Sequence, residues 1–220
     1  MSWLTDINWG QIYEALVETV YMTGVSMIFI VVFGLMIGIL LYCTQSGGLY
    51  ENKYISKVVD VTVNILRAIP FIIMVFLIIP FTKLLCGTML GATAAIPSLV
   101  FTASPFFARL CVIAFNEVDK GTIEASEAMG ASKFEIITKV LLPEALPAIV
   151  SGISVTAVTL VGYTAMSGAI GAGGLGNVAY LYGFSRRNGT VLYLATAMVV
   201  IIVFILQGIG DYVVSKIDKR

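Results

Sequence analysis

Long uncharged apolar runs alternate with short polar breaks along this chain, and their lengths define most of its elements. A helix rising ~1.5 Å per residue needs about 20 apolar residues to cross a hydrocarbon core. The run from Val20 to Cys43 meets that length without a charge and predicts a first span over 20–43. A second, over 58–81, carries Asp60 and Arg67 near its start and Pro70 and Pro80 in its uncharged part. Leu84 to Ala108 is uncharged and holds Pro97 and Pro105, which places a third span at 90–110. Ala145 to Ser185 is also uncharged, but as one helix it would be ~60 Å long, twice the hydrocarbon thickness. The glycines at 168, 171, 173, 174 and 176 supply a break, leaving a fourth span over 147–167 and a fifth over 190–212. The pattern predicts an all-α polytopic membrane protein, a single transmembrane domain over 1–220 with one long polar interruption at 111–145.

Composition agrees and removes several classes of chemistry. With 59% hydrophobic and 12% charged residues and a mean hydropathy of +0.98, the chain is far less charged than a soluble domain, at roughly 25%. Thirteen basic and thirteen acidic residues cancel, so no net field attracts nucleic acid. There is no histidine, which removes the commonest metal ligand and acid/base group, and no catalytic or metal-binding cluster is expected. Cys43, Cys86 and Cys111 are widely spaced in apolar surroundings and read as buried small hydrophobes. The first apolar run follows Asp6, Glu14 and Glu18 rather than a basic segment and is too long for a cleaved leader, so it is expected to stay in the membrane.

An odd number of spans puts the termini on opposite sides. With the N-terminus outside, the outer segments hold only Lys83, Arg186 and Arg187 of the 13 basic residues, leaving ten for the inner ones. That positive-inside bias makes the 111–145 loop and the C-terminus cytoplasmic. Within the loop, Gly121 or Thr122 is expected to begin a short helix with Glu124 in its first turn, Ala125, Ala128 and Met129 on one side, and Gly130 as its stop. A second helix, Lys133 to Leu142, is expected to end at Pro143. Such a pair could dock a partner or lie on lipid headgroups.

Along the fourth span, Thr156, Thr159, Tyr163, Met166 and Ser167 recur at helical spacing and are candidates for a translocation path, with Met166 as an apolar gate. Hydroxyls in membrane helices also bond back to their own backbone, so a packing role stays open. The run from Gly171 through Gly173 and Gly174 to Gly176 formally satisfies Gly-x-Gly-x-x-Gly. It follows an intramembrane helix, is expected to open no further amphipathic helix, and lacks an acidic residue about 20 positions on, so it reads as a hinge near the outer gate. Gly34 and Gly38 form a small-residue pair suited to helix packing, Asn188-Gly189-Thr190 reads as a chance sequon, and Asp60 with Arg67 is expected to pair with neighbours or snorkel near the inner boundary.

The order Glu124-Ala125-Ser126, three residues, Gly130, nine residues, then Val140-Leu141-Leu142-Pro143 resembles the EAA loop of ABC importer permeases, with Ser126 and Val140 as mild departures. The runs NILRAIPFIIMVFLIIPFTKLLCGT, ASPFFARL and LVGYTAMSGAIGAGGLGNVAYLYGF are similar to permeases of methionine importers, and the likeness extends from about Val20 onward. The resemblance implies a type I ABC importer permease of the bacterial inner membrane, a homodimer working with two ABC ATPase subunits and an extracytoplasmic methionine-binding lipoprotein. It implies import of D- and L-methionine, with Glu124, Ala125, Ser126, Gly130, Leu142 and Pro143 in the ATPase-coupling loop. The chain has no Gly-Lys dipeptide and so no Walker A motif; ATP and Mg would sit on the partner ATPase, with no cofactor in this chain. A permease for another small solute is the alternative, and an ion-coupled carrier or an intramembrane enzyme has fewer suitable residues.

Overall fold

The computed structural model describes residues 8–218; Asp6, Lys219 and Arg220, used in the leader and charge arguments, lie outside the described residues. Helix α1 (Trp9–Thr44) starts well before residue 20 and is capped by Asn8, whose side chain accepts the Gln11 N–H at 3.2 Å. Glu14 and Glu18 interrupt the apolar run but not the helix, because glutamate is a good helix former.

The second span, expected as one helix over 58–81, is divided. Asn52 caps α2 (Lys53–Ala68) by accepting from the Tyr54 and Ile55 N–H groups, both at 3.1 Å. Ile69 is then extended (φ −76°, ψ 120°), as the residue before a proline favours, and α3 (Phe71–Leu77) leaves at 106° to α2. Next, α4 (Ile79–Cys86) carries Pro80 in its first turn and ends at Gly87, φ +71°. Four helices are long and apolar enough to cross a membrane among the described residues, and the bent α2–α3 pair makes up to five.

Helix α5 (Ala92–Asn116) contains Pro97 and Pro105 and forms the centre of the molecule, with Leu99, Phe107, Ala108, Cys111 and Phe115 at 0% exposure. Helix α1 lies against it through Gly34 and Gly38. A Cβ at Gly34 would come 2.7 Å from the Phe107 ring and one at Gly38 2.7 Å from Cys111 Cβ, so both positions require glycine for close approach.

After α6 (Lys120–Ala128) and α7 (Lys133–Glu135), the chain passes through a π-helical stretch (Ile136–Leu141) into α8 (Leu142–Ser167). The helix expected to stop at Pro143 instead continues. Leu142 N–H reaches back to the Ile137 carbonyl, and this widened turn falls just before Pro143, where a proline ring and its missing N–H would strain a regular α turn. A second π-helical stretch (Gly168–Ala172) leads to the break, where Gly171, Gly173 and Gly174 adopt φ of +99°, +83° and +75°. Beyond the glycines the chain forms one short turn, α9 (Gly174–Asn177), and an apolar rather than amphipathic π-helical stretch (Val178–Ser185) before α10 (Gly189–Ile217) completes the fold.

Candidate functional site: a docking knob and a broken-helix cavity

The polar loop folds into two short helices stapled to the core. Asp119 caps α6, accepting the Gly121 N–H at 2.6 Å, so the helix begins at Lys120, one residue before Gly121. At the other end Gly130 N–H bonds Glu127 O (2.9 Å) and Ala131 N–H bonds Ser126 O (3.1 Å), the two bonds of a Schellman stop with Gly130 at φ +82°. Ser126 is buried, its hydroxyl returned to Thr122 O of the same helix at 2.8 Å, and Ile123 packs against the core, so this side of α6 faces inward. Glu124, Ala125, Glu127 and Ala128 face outward, and Met129 and Phe134 are 81% and 70% exposed. Leu142 is half-buried and Pro143 exposed, on the helix that carries the knob inward.

The knob has a fastening the sequence reading missed. Ser132 Oγ accepts the Glu135 N–H at 3.3 Å while the Glu135 carboxylate accepts from Ser132 N–H at 3.1 Å, a reciprocal capping box legible as Ser-x-x-Glu. Lys139 Nζ donates to Glu135 Oε1 at 2.8 Å, and the Lys139 and Ser132 hydrogen bonds hold the Glu135 carboxyl well below its ordinary range, at about 2. Ile136 and Leu141, both at 0% exposure, root this stretch in the core.

On α8 the five path candidates divide. Thr156 and Ser167 are buried and donate to Gly152 O (2.7 Å) and Thr164 O (2.9 Å), so they pack rather than line an open face. Thr159, Tyr163 and Met166 remain accessible, beside exposed Val155, Gly162 and Ala169. The reason is angular. Each residue turns the helix by ~100°, so Ser167 points well away from Met166, and Thr156 lies inward of Thr159. Thr159 Oγ1 itself bonds back to Val155 O at 2.9 Å, and Met166 is 46% exposed.

Beneath the α2–α3 break lies a cavity of about 230 Å³ lined by Arg67, Pro70, Phe71, Thr102, Phe106 and Tyr163 among others. Phe71 and Tyr163 stack at 4.9 Å with 9° between their planes, joining the broken span to α8. Thr102 and Phe106 are the eleventh and fifteenth of the 25 residues of α5, counting from Ala92, so this cavity and Arg67 stand at the middle of that helix. Arg67, itself exposed, is thus level with the middle of α5 rather than with its C-terminal end. Asp60 pairs with a neighbour, as expected: Arg109 of α5, which also donates to Asn64 Oδ1 at 3.0 Å.

At the opposite end, the glycine turn is tied to α1. Glu18 Oε2 accepts the Gly174 N–H at 2.6 Å and Thr19 Oγ1 accepts the Leu175 N–H at 2.9 Å, while Gly91 N–H bonds Gly171 O at 2.9 Å. Gly176 is buried, and a Cβ there would lie 2.1 Å from Ala165 O. Glu18 was absent from the sequence candidates because its partner lies 156 residues away.

Apolar spans, one of them broken, a glycine turn at one membrane end and a capped helical knob at the other define a transport permease. The chain belongs to the family of binding-protein-dependent transport system inner membrane components, which it matches over residues 34–219. It is similar to the methionine import system permease protein MetP of Bacillus subtilis (strain 168), with 49% identity over 219 residues covering 100% of this chain and 99% of that protein. The probable D-methionine transport system permease protein MetI of Pasteurella multocida (strain Pm70) is 43% identical over 217 residues, 99% of this chain and 100% of that protein. An inward-facing structure of the MetNI methionine ABC transporter superposes with a TM-score of 0.93 at 45% identity, covering 95% of this chain and 97% of that one. An amino acid ABC transporter solved with histidines, at TM-score 0.74 and 18% identity, shares the fold alone.

Proposed function

We propose that this chain is the membrane-spanning subunit of an ATP-driven methionine importer, working as a homodimer with two separate ABC ATPase subunits and an extracytoplasmic methionine-binding lipoprotein. The observation that carries the coupling role is the knob. Helix α6 is closed at both ends by Asp119 and Gly130, turns Ile123 and buried Ser126 toward the core, and presents Glu124, Ala125 and Ala128 outward. A low-relief helix on the charged side is suited to a groove of the ATPase, and the next helix, continuous from Lys133 through Leu142 and Pro143 into α8, carries motion to the accessible face of Thr159, Tyr163 and Met166. ATP and Mg bind the partner, which supplies the hydrolysis.

The solute assignment rests on likeness over the whole chain to proteins named for methionine import. Leaving Arg67 aside, nine basic residues in the inner segments against three in the outer ones support an outward N-terminus and a cytoplasmic C-terminus in a bacterial inner membrane. Two copies of the five-helix subunit around a two-fold axis, rather than one copy alone, enclose a solute-sized path. Co-expression with the ATPase tests the assembly: a complex of two permeases and two ATPases should be isolated from membranes, and Ala125→Trp should release the ATPase while the permease stays membrane-inserted. Normal ATPase retention by Ala125→Trp would sink the docking assignment.

A further inference from the structure

We propose that the cavity under the α2–α3 break is an intramembrane substrate subsite, in which Arg67 takes the carboxylate of an amino acid and the stacked Phe71 and Tyr163 rings receive its side chain. This deepens the importer reading and rests on it. Ionisable side chains at membrane depth are retained for partners or for function, and the two arginines here divide accordingly. Arg109 is neutralised by Asp60 and further bonded to Asn64. Arg67, two turns beyond Asp60 on α2, has no carboxylate within ion-pair distance among the described residues and opens into the cavity.

Its surroundings suit a zwitterion. A guanidinium presents a planar fork of donors that matches a carboxylate. Ile69 is extended and Pro70 has no N–H to return to the Leu66 carbonyl, so the negative end of α2 is left open beside the same cavity for an ammonium group. Phe71, Phe106 and Tyr163 offer aromatic faces and edges, which favour a thioether or another apolar side chain. The volume, about 230 Å³, lies below the ~300–1,000 Å³ of drug-sized pockets and fits a small solute. Tyr163 belongs to α8, the helix continuous with the docking knob, so a rotation of that helix would part the ring pair and open the subsite.

The test uses the assembled permease–ATPase complex in vesicles, with Cys43, Cys86 and Cys111 replaced and Phe106→Cys as reporter, after ATP-driven methionine uptake has been shown for the parent complex. That control judges the importer reading separately. The reporter thiol should react faster with an anionic than with a cationic methanethiosulfonate, and Arg67→Gln should shift that ratio by on the order of tenfold, as a unit charge nearby requires. Arg67→Lys should largely restore it. Methionine should slow the labelling with Arg67 present and lose that effect in Arg67→Gln. Tyr163→Cys serves as a second reporter if Phe106→Cys does not assemble. A labelling ratio indifferent to Arg67→Gln at both reporters, or labelling sensitive to replacing phosphatidylglycerol by phosphatidylcholine but not to methionine, would overturn the proposal.

Discussion

Gly130 concentrates the logic of the docking knob in one backbone angle. Its φ of +82° lets the Schellman bonds from Gly130 and Ala131 close α6, and no atom lies within 4 Å of where a Cβ would sit. Gly130→Val should therefore act through strain, roughly 1–2 kcal/mol or more for a β-branched residue in the left-handed region, and not through a clash. ATP-driven uptake should fall while membrane insertion persists, and unchanged uptake by a correctly inserted variant would remove α6 from the coupling path. Glu135 offers a second test at this scale. Its carboxyl is lowered from 4.5 to about 2, so its stabilising contacts are fully present above pH 4.5 and are lost as pH falls through about 2. Carbon-13 detection of the labelled carboxyl should give a midpoint near 2 that rises toward 4.5 in Lys139→Met; an unaltered midpoint in that variant would separate Lys139 from the effect. The pattern Ser132-x-x-Glu135 is readable in the sequence, whereas the Asp119 cap is not singled out there, because Gly121 and Thr122 are also residues that can begin a helix.

Among elements, the second span and the glycine turn show where local patterns stop being informative. Apolar run length located α1, α5, α8 and α10, because burial in lipid sets that length. It could not show that Pro70 turns the second span by 106°, or that a helix runs through Pro143 on a widened turn, since both depend on how neighbours support the backbone. Likewise the period-3.6 pattern on α8 put Thr156 and Ser167 on the same face as Met166, and only the packing of α5, α9 and α10 shows which arc is covered. The glycines were legible as a break; their anchor, Glu18 on α1, was not. Glu18→Ala leaves the Gly174 N–H without its acceptor, a loss of about 1–3 kcal/mol when such a group stays buried. The variant should melt earlier in detergent and import more slowly, with Glu18→Gln intermediate. Equal melting of Glu18→Ala and the parent would show the turn to be held by other contacts. Gly176→Ala should be worse, because its Cβ has no room beside the Ala165 carbonyl.

At the scale of the whole molecule, a path requires two copies meeting along their accessible α8 faces. Met166, 46% exposed at the end of α8, is the residue we propose closes that path from both sides. In an otherwise cysteine-free complex, Met166→Cys should cross-link the two permeases in the closed state; failure there with success at Thr159→Cys would move the gate inward along the helix. The central claim, that movement of solute is driven by ATP on a partner through the Asp119–Gly130 knob, is tested most directly by methionine uptake into vesicles containing permease, ATPase and binding protein. Uptake should require ATP on the ATPase side, persist after ion gradients are collapsed, and fail when the knob carries Ala125→Trp. Methionine accumulation driven by an ion gradient without ATP would contradict the account.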